Sequence, residues 1–164
     1  MPLTLDGNGD IAGLVAGALP ANVIGAGAVL QVVSGTTATK VTNSTSTYAD
    51  TGLSATITPT SATSKILILI SHPNTQKSSG NSSNGVQFNL VKNGTQIREI
   101  ASDYNFTGTA LTLTTAFSFT YYDSPASTSA LTYKTQFRNG LDAGSVSVQD
   151  DNFMSTITLL EIAG

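Results

Sequence analysis

The chain has 164 residues, of which 10% are Asp, Glu, Lys or Arg, against roughly 25% in an average soluble protein. Its formal net charge of -3 argues against a nucleic-acid partner, because such a partner requires a basic face that neutralises phosphates. The lack of cysteine excludes a disulfide framework, a thiolate metal site and a cysteine nucleophile.

Serine and threonine are unusually frequent and replace charged residues as the main polar side chains. The sequence contains 19 Ser and 25 Thr. Threonine is β-branched, so it is stiff at χ1 and packs well on a pleated surface. A threonine-rich chain with few Lys and Glu is therefore predicted to form sheet rather than long solvated helices.

Residues 1–28 form an apolar segment rich in glycine and alanine, with Asp6 and Asp10 as its only charged residues. It shows no sustained helical or strand period, so it is not expected to fold alone. Its large aliphatic side chains are expected to be covered, because exposing them to water costs free energy. They are Ile11, Leu14, Val15, Leu19, Val23 and Ile24. We interpret the segment as an anchoring arm on a partner chain; alternatively, it packs on its own domain as extra strand or coil.

Three other interpretations of this arm are not supported by its residues. The start MPLTLDGNGD has acidic residues where a secretory signal has Lys or Arg. Residues Ile11 to Val33 are long enough to cross a bilayer, but they contain a proline, an asparagine and a glutamine, so no membrane span is predicted. Asp6 to Asp10 begins like a calcium loop, but the positions of its obligatory Gly and bidentate Glu hold other residues.

Beyond the arm, apolar and polar residues alternate in several short runs. This period predicts strands at Ala28 to Ser34 and at Tyr48 to Thr58. The run Lys65 to Ser71 (KILILIS) is apolar without interruption and is followed by His72-Pro73. Such a run is typical of a short strand that is buried on both faces.

A hairpin around Asn93-Gly94 is the most specific local prediction. Val86, Phe88 and Leu90 alternate with polar residues before it. Asn-Gly supplies the two positive-φ positions of a type I′ turn, whose twist matches that of the paired strands. Further strands are predicted at Gln96 to Ala101, Leu111 to Tyr121, Leu131 to Phe137, Gly144 to Gln149 and Ser155 to Ile162. The last of these (STITLLEI) is expected to complete a sheet in a central position.

These runs give roughly eight strands at the spacing found in sandwiches and barrels. Residues 29–164 are therefore predicted to form an all-β domain, an antiparallel β-sandwich of jelly-roll type. An immunoglobulin-like sandwich is the second alternative, although the chain has no Trp or Cys for the core signature of that fold.

Titratable residues do not form a convincing catalytic set in this sequence. His72 is the only histidine and follows a predicted strand, where it is more typical of a turn residue than of a general base. Asp150 and Asp151 are predicted to be solvated loop residues, and neighbours in an extended chain point to opposite faces. We therefore predict no enzyme activity, no catalytic residues, no cofactor and no metal.

One loop has a composition that suits ligand binding. Tyr104 and Phe106 flank Asn105 among polar residues, an arrangement that favours carbohydrate stacking or protein contacts. Alternatively, the two aromatic side chains cap the core.

The order of these segments resembles a known family. The run VLQVVSGTTATKVTNSTSTYADTGLSATITPTSATSKILILIS and the ending STITLLEIAG resemble virion proteins of tailed bacteriophages. The likeness is closest to tail-fibre-like and decoration proteins of cyanobacterial and marine phages, and it covers roughly residues 28–164.

The resemblance implies a trimeric knob of jelly-roll type. Such a protein is made in the host cytoplasm and attached by its N-terminal arm to the capsid, collar or tail of the virion. The chain has no coiled coil or long shaft, which favours a short appendage or decoration (cement) protein over a host-reaching fibre. The alternative function is a receptor-binding knob that recognises a host-surface glycan.

Overall fold

The structure is a computed structural model, and it describes residues 4–5, 11–12, 25–141 and 144–164. Most of the predicted arm residues lie outside the described residues: Leu14, Val15, Leu19, Val23 and Ile24. For Ile11 the structure describes only its backbone pairing with Leu5. The interpretation of the arm therefore stays a prediction.

The regular elements of the described residues are strands, with one short 3-10 turn at Asp150–Asn152. The strands are β1 (Thr4–Leu5), β2 (Ile11–Ala12), β3 (Val29–Thr37), β4 (Val41–Asn43), β5 (Ala49–Ile57), β6 (Lys65–Lys77), β7 (Val86–Lys92), β8 (Thr95–Tyr104), β9 (Leu113–Asp123), β10 (Leu131–Asn139), β11 (Val146–Val148) and β12 (Ser155–Ile162). Among the described residues, β1 and β2 pair with each other and with no other strand. The remaining strands carry the domain.

Two antiparallel sheets pack face to face. The first sheet has the order β3-β12-β6-β9, and the short strands β11 and β4 continue it beside the second half of β6. The second sheet has the order β5-β10-β7-β8. The predicted fold class, an all-β antiparallel sandwich, is confirmed.

The core lies between the sheets and is built by the alternating inward residues of each strand. One group of buried side chains fills one half of the sandwich: Leu53, Ala55, Ile57, Ile66, Ile68, Ile70, Leu90, Leu131, Tyr133, Ile157 and Leu159. A second, more aromatic group fills the other half: Val86, Phe88, Phe117, Phe137, Val146 and Val148. Phe88 stacks on Phe117 with 4.6 Å between the ring centroids.

Gly35 allows the two sheets to approach each other closely at one edge. A Cβ atom at this position would lie 1.9 Å from the backbone oxygen of Ser54 in β5. No larger residue fits without moving one of the two strands. Glycine at position 35 is thus required by the closure of the sandwich edge between β3 and β5.

The hairpin and the last strand are confirmed as predicted. Asn93 and Gly94 have φ values of 49° and 83°, and Lys92 pairs with Thr95 across the turn. β12 pairs with β3 on one side and with β6 on the other, so it is a central strand.

Two predictions about β6 are wrong. The strand does not end at His72-Pro73 but continues to Lys77, because a register shift between His72 and Thr75 accommodates the proline, which cannot donate to the ladder. Nor is its apolar run buried on both faces. Ile66, Ile68 and Ile70 are buried, whereas Leu69 on the opposite face is 40% exposed. The uninterrupted apolar run therefore supplies apolar side chains to both faces of β6, of which only the inner face belongs to the core.

Candidate functional site

The sandwich has two distinct ends. At the first end, which we call the arm end, β3 begins and β12 finishes, and Gly27 and Ala28 exchange backbone hydrogen bonds with Ala163. At the second, the loop end, β6 finishes at Lys77, opposite the start of β9. Because β6 has 13 residues, the two ends are about 40 Å apart along this strand.

Three connections meet at the loop end and bind one another. The β6–β7 connection contacts the β10–β11 connection through a bond from the Ser78 amide to the Ser145 carbonyl (2.9 Å). The β8–β9 connection is held by Lys77, whose buried ammonium donates to the Thr107 hydroxyl (2.6 Å) and the Thr109 carbonyl (3.0 Å). The loops of this end therefore form one linked surface.

The residues predicted as a ligand loop, Tyr104, Asn105 and Phe106, lie at this loop end but have different surroundings. Tyr104 is half-buried, and its ring makes an edge contact with Phe117, with centroids 5.2 Å apart. The Asn105 amide donates to the Thr75 carbonyl (2.9 Å) and thus ties the loop to β6. Phe106 is 53% exposed. Tyr104 therefore caps the core, and of the two aromatic side chains Phe106 is the one presented to solvent.

This division of roles gives a testable difference in stability. Tyr104→Ala is expected to lower the free energy of unfolding by about 2 kcal/mol, because it removes the contact with Phe117 and a hydroxyl that bonds to Thr115. Phe106→Ala is expected to change it by less than about 0.5 kcal/mol, because the side chain is mostly in solvent. Urea unfolding of both variants measures the difference, and equal losses would contradict these roles.

His72 lies in the interior of the sandwich, not in a turn, which corrects the sequence-based expectation. It is fully buried and stacks on Phe88, with 5.2 Å between ring centroids. Its Nδ1 lies 2.8 Å from the Ser155 hydroxyl on β12, and its Nε2 lies 3.1 Å from the Thr135 hydroxyl on β10. The ring thus links the two sheets.

The surrounding hydrogen bonds assign a neutral ring to His72. Gln149 satisfies both ends of its amide when its oxygen faces the His72 Nδ1 and its nitrogen donates to the Thr39 and Thr51 carbonyls. Nδ1 then carries the proton, and Nε2 accepts from the Thr135 hydroxyl. Burial lowers the pKa of His72 from 6.5 to about 4, because charging the ring away from water is costly.

The pair formed by His72 and Ser155 resembles a base beside a nucleophile, but its setting is that of a core network. His72, Ser155, Thr135 and Gln149 all have no exposed surface. A substrate cannot reach either atom in this arrangement. The cluster connects β6, β10, β12 and the residue after β11, and its chemistry is that of a structural polar clamp between the sheets.

Asp150 is also not a solvated loop residue, contrary to the prediction. It is 5% exposed, forms an ion pair with Lys40 and accepts a hydrogen bond from Gln76. Its backbone carbonyl accepts from Asn74 (2.8 Å). Asp151, in contrast, is exposed. The sequence contains no local signal for this burial, because the partners of Asp150 come from β6 and from the β3–β4 connection.

A third buried polar group lies toward the arm end. The Asp123 carboxylate accepts from the Lys92 ammonium (2.8 Å) and from the Tyr133 hydroxyl (2.6 Å), which joins β9 of the first sheet to the second sheet. Burial raises the pKa of Tyr133, and its bond to the Asp123 carboxylate raises it further. Tyr133 therefore stays neutral throughout the physiological range.

The part of the chain that the structure describes contains no pocket and no group of three His, Asp or Glu placed to hold a metal ion. Within the same residues, no helix is long and apolar enough to cross a membrane. Neither the protein-family models nor the curated proteins contain a match to this chain.

Proposed function

We propose that this chain is a virion structural protein of a tailed phage. It serves as a short trimeric appendage or decoration protein and attaches to the particle through residues 1–28. The observation that carries the proposal is that the two ends of the sandwich differ. Residue 25, the first after the main part of the arm, lies beside the end where Gly27 bonds to Ala163, while the linked loops lie at the opposite end. An appendage needs this separation, because one end contacts the particle and the other faces outward.

The strand order supports a jelly roll as the finer form of the sandwich. Every connection between consecutive long strands passes from one sheet to the other, except the β7–β8 hairpin. Such repeated crossing is expected when two four-stranded sheets are built from paired antiparallel segments. A jelly-roll domain with an N-terminal arm matches what the resemblance to phage virion proteins implies.

Size-exclusion chromatography with light scattering tests the assembly. The full-length chain is expected at about three times the chain mass of 16.8 kDa. A stable full-length monomer would contradict the proposed trimeric appendage.

Attachment is tested separately in infected cells. Tagged full-length chain and tagged residues 29–164 are each produced during infection by the phage that carries this gene. Full-length chain is expected in density-gradient-purified particles, while residues 29–164 are expected to stay in the soluble fraction. Circular dichroism of the shorter chain provides the folding control. Full-length chain that is absent from the particles would contradict a virion role.

A receptor- or glycan-binding knob is the second candidate function. The exposure of Phe106 at the loop end supports it, because Asn105 and Lys77 hold the surrounding loop in place. Binding to a glycan array is expected to be lost in Phe106→Ala and kept in Phe153→Ala, which removes an equally exposed ring from the β11–β12 connection. Absence of binding by the unmodified chain would leave decoration as the function.

A further inference from the structure

The outer face of the first sheet carries an apolar row that crosses four strands. Val32 in β3 lies opposite Leu160 in β12, Leu160 lies opposite Leu67 in β6, and Leu67 lies opposite Tyr122 in β9. Val32 is 58% exposed and Tyr122 is 53% exposed. The row is therefore a continuous apolar strip on the surface rather than a set of scattered side chains.

Toward the arm end, the next row on this face contains Val29, Ile162 and the charged Lys65, whereas toward the loop end the two neighbouring rows contain small polar residues and one more leucine. The first of these two rows is Ser34, Thr158, Leu69 and Thr120, and the row after it is Thr36, Thr156, Ser71 and Ser118. None of the twelve residues in these two rows and the apolar row is charged. We call these twelve residues the uncharged face.

The outer face of the second sheet has the opposite character. Asp50 accepts hydrogen bonds from Lys134 and Gln136, both at 2.7 Å. Arg138 donates to Gln87 (2.8 Å) and lies 4.6 Å from the centre of the Tyr48 ring. Charged residues on the outer face of the second sheet thus have partners within their own sheet, whereas the uncharged face of the first sheet includes none. On the outer face of the first sheet, Lys65 lies in the row beside Leu67, outside the uncharged face.

We infer that the uncharged face packs against another copy of this chain. A partner with a charged surface would bury its charges here without counter-charges, which is costly. An uncharged partner surface with apolar and hydroxyl groups meets no such cost, and this chain itself supplies one. The inference rests on the proposed assembly of several copies and assigns the sheet through which they associate.

The test uses the full-length chain, which has no cysteine, so that one introduced thiol is unique. Val32→Cys and Tyr122→Cys place the thiol on the uncharged face. Thr56→Cys places it at an exposed outward position of β5 in the second sheet and serves as the matched control. The rate of reaction with a maleimide is measured alongside the mass by light scattering.

Light scattering is expected to give a mass that is a multiple of the chain mass. In this multimer, the thiols at positions 32 and 122 are expected to react about tenfold more slowly than the thiol at position 56. Adding Leu67→Lys to the Val32→Cys chain is expected to restore the control rate, because a lysine cannot be buried unpaired. Thr56→Lys in the same chain is expected to leave the protection unchanged. Dilution to the monomer mass is also expected to remove the protection.

Four results would overturn the inference. If the protein is a multimer but the thiol at position 32 reacts at the control rate, the copies associate through another surface. The proposed function survives that result. Protection that persists in a monomer means that the chain's own N-terminal segment covers the face. If the thiol at position 32 still reacts slowly in the Leu67→Lys variant, the surface that covers it does not contact the apolar row. A monomer with a fully reactive thiol contradicts both this inference and the proposed trimer.

Discussion

Deletion of residues 155–164 is expected to leave the chain unfolded. These residues include β12, which pairs with β3 on one side and with β6 on the other, so its loss separates the first sheet into two parts. It also removes Ile157 and Leu159 from the core and Ser155 from the polar clamp. The combined cost exceeds the roughly 5–15 kcal/mol by which a domain is stable. Circular dichroism and resistance to protease measure the outcome, and a folded deletion variant would contradict the central role of β12.

Single substitutions in β12 measure its contribution to stability in a protein that still folds. Leu159→Ala is expected to lower the free energy of unfolding by about 2–5 kcal/mol, because the side chain is fully buried and leaves a cavity. Thr158→Ala is the matched control, since its side chain points outward from the adjacent position. Its expected cost is below about 1 kcal/mol. Comparable losses in the two variants would show that the strand does not present these faces.

Acid is expected to destabilise the protein through His72. The pKa of this histidine is 6.5 when unfolded and falls to about 4 in the folded protein. The unfolded chain therefore binds more protons between these values, and the stability that is complete above pH 6.5 is lost as the pH falls toward 4. From pH 7.5 to pH 5 the expected loss is about 2 kcal/mol in the free energy of unfolding.

Urea unfolding at pH 7.5, 6 and 5 tests this dependence against His72→Gln. The variant is expected to be less stable at pH 7.5, because it loses ring contacts with Phe88, but to lack most of the loss between pH 7.5 and 5. An equal pH dependence in both proteins would show that His72 is not the responsible group.

Asp50 affects stability in a different pH range from His72. Burial alone would raise the pKa of Asp50, but hydrogen bonds from Lys134 and Gln136 and the lysine charge hold it below 3.8. A carboxylate of this kind loses its contribution to stability only as the pH falls below its ordinary pKa. Protonation of Asp50 therefore adds little to the loss of stability expected between pH 6.5 and 5.

Local patterns in the sequence were sufficient to predict most strands and the β7–β8 hairpin. Alternation of apolar and polar residues reports which side of a strand is buried, and this property depends only on neighbours along the chain. Asn93-Gly94 likewise specifies its own turn, because both residues adopt positive φ readily. The sandwich class followed from the number and spacing of these strands.

The candidate sites depended on contacts that local patterns do not contain. His72 was predicted as a turn residue because proline usually ends a strand, whereas the register shift after it keeps β6 in the sheet. Its partners Ser155 and Thr135 are 83 and 63 residues away in the sequence. The burial of Asp150 likewise follows from distant partners, among them Lys40.

The composition alone established that this is a β-rich chain with few charges and an apolar N-terminal segment. Only the tertiary structure decided where those few charges lie and which surface lacks them. The apolar row from Val32 to Tyr122 exists because four strands from distant parts of the chain pair in one register. Hydrophobic periodicity specifies the two faces of each strand, but the alignment of outward residues between strands is set by the pairing of the whole sheet.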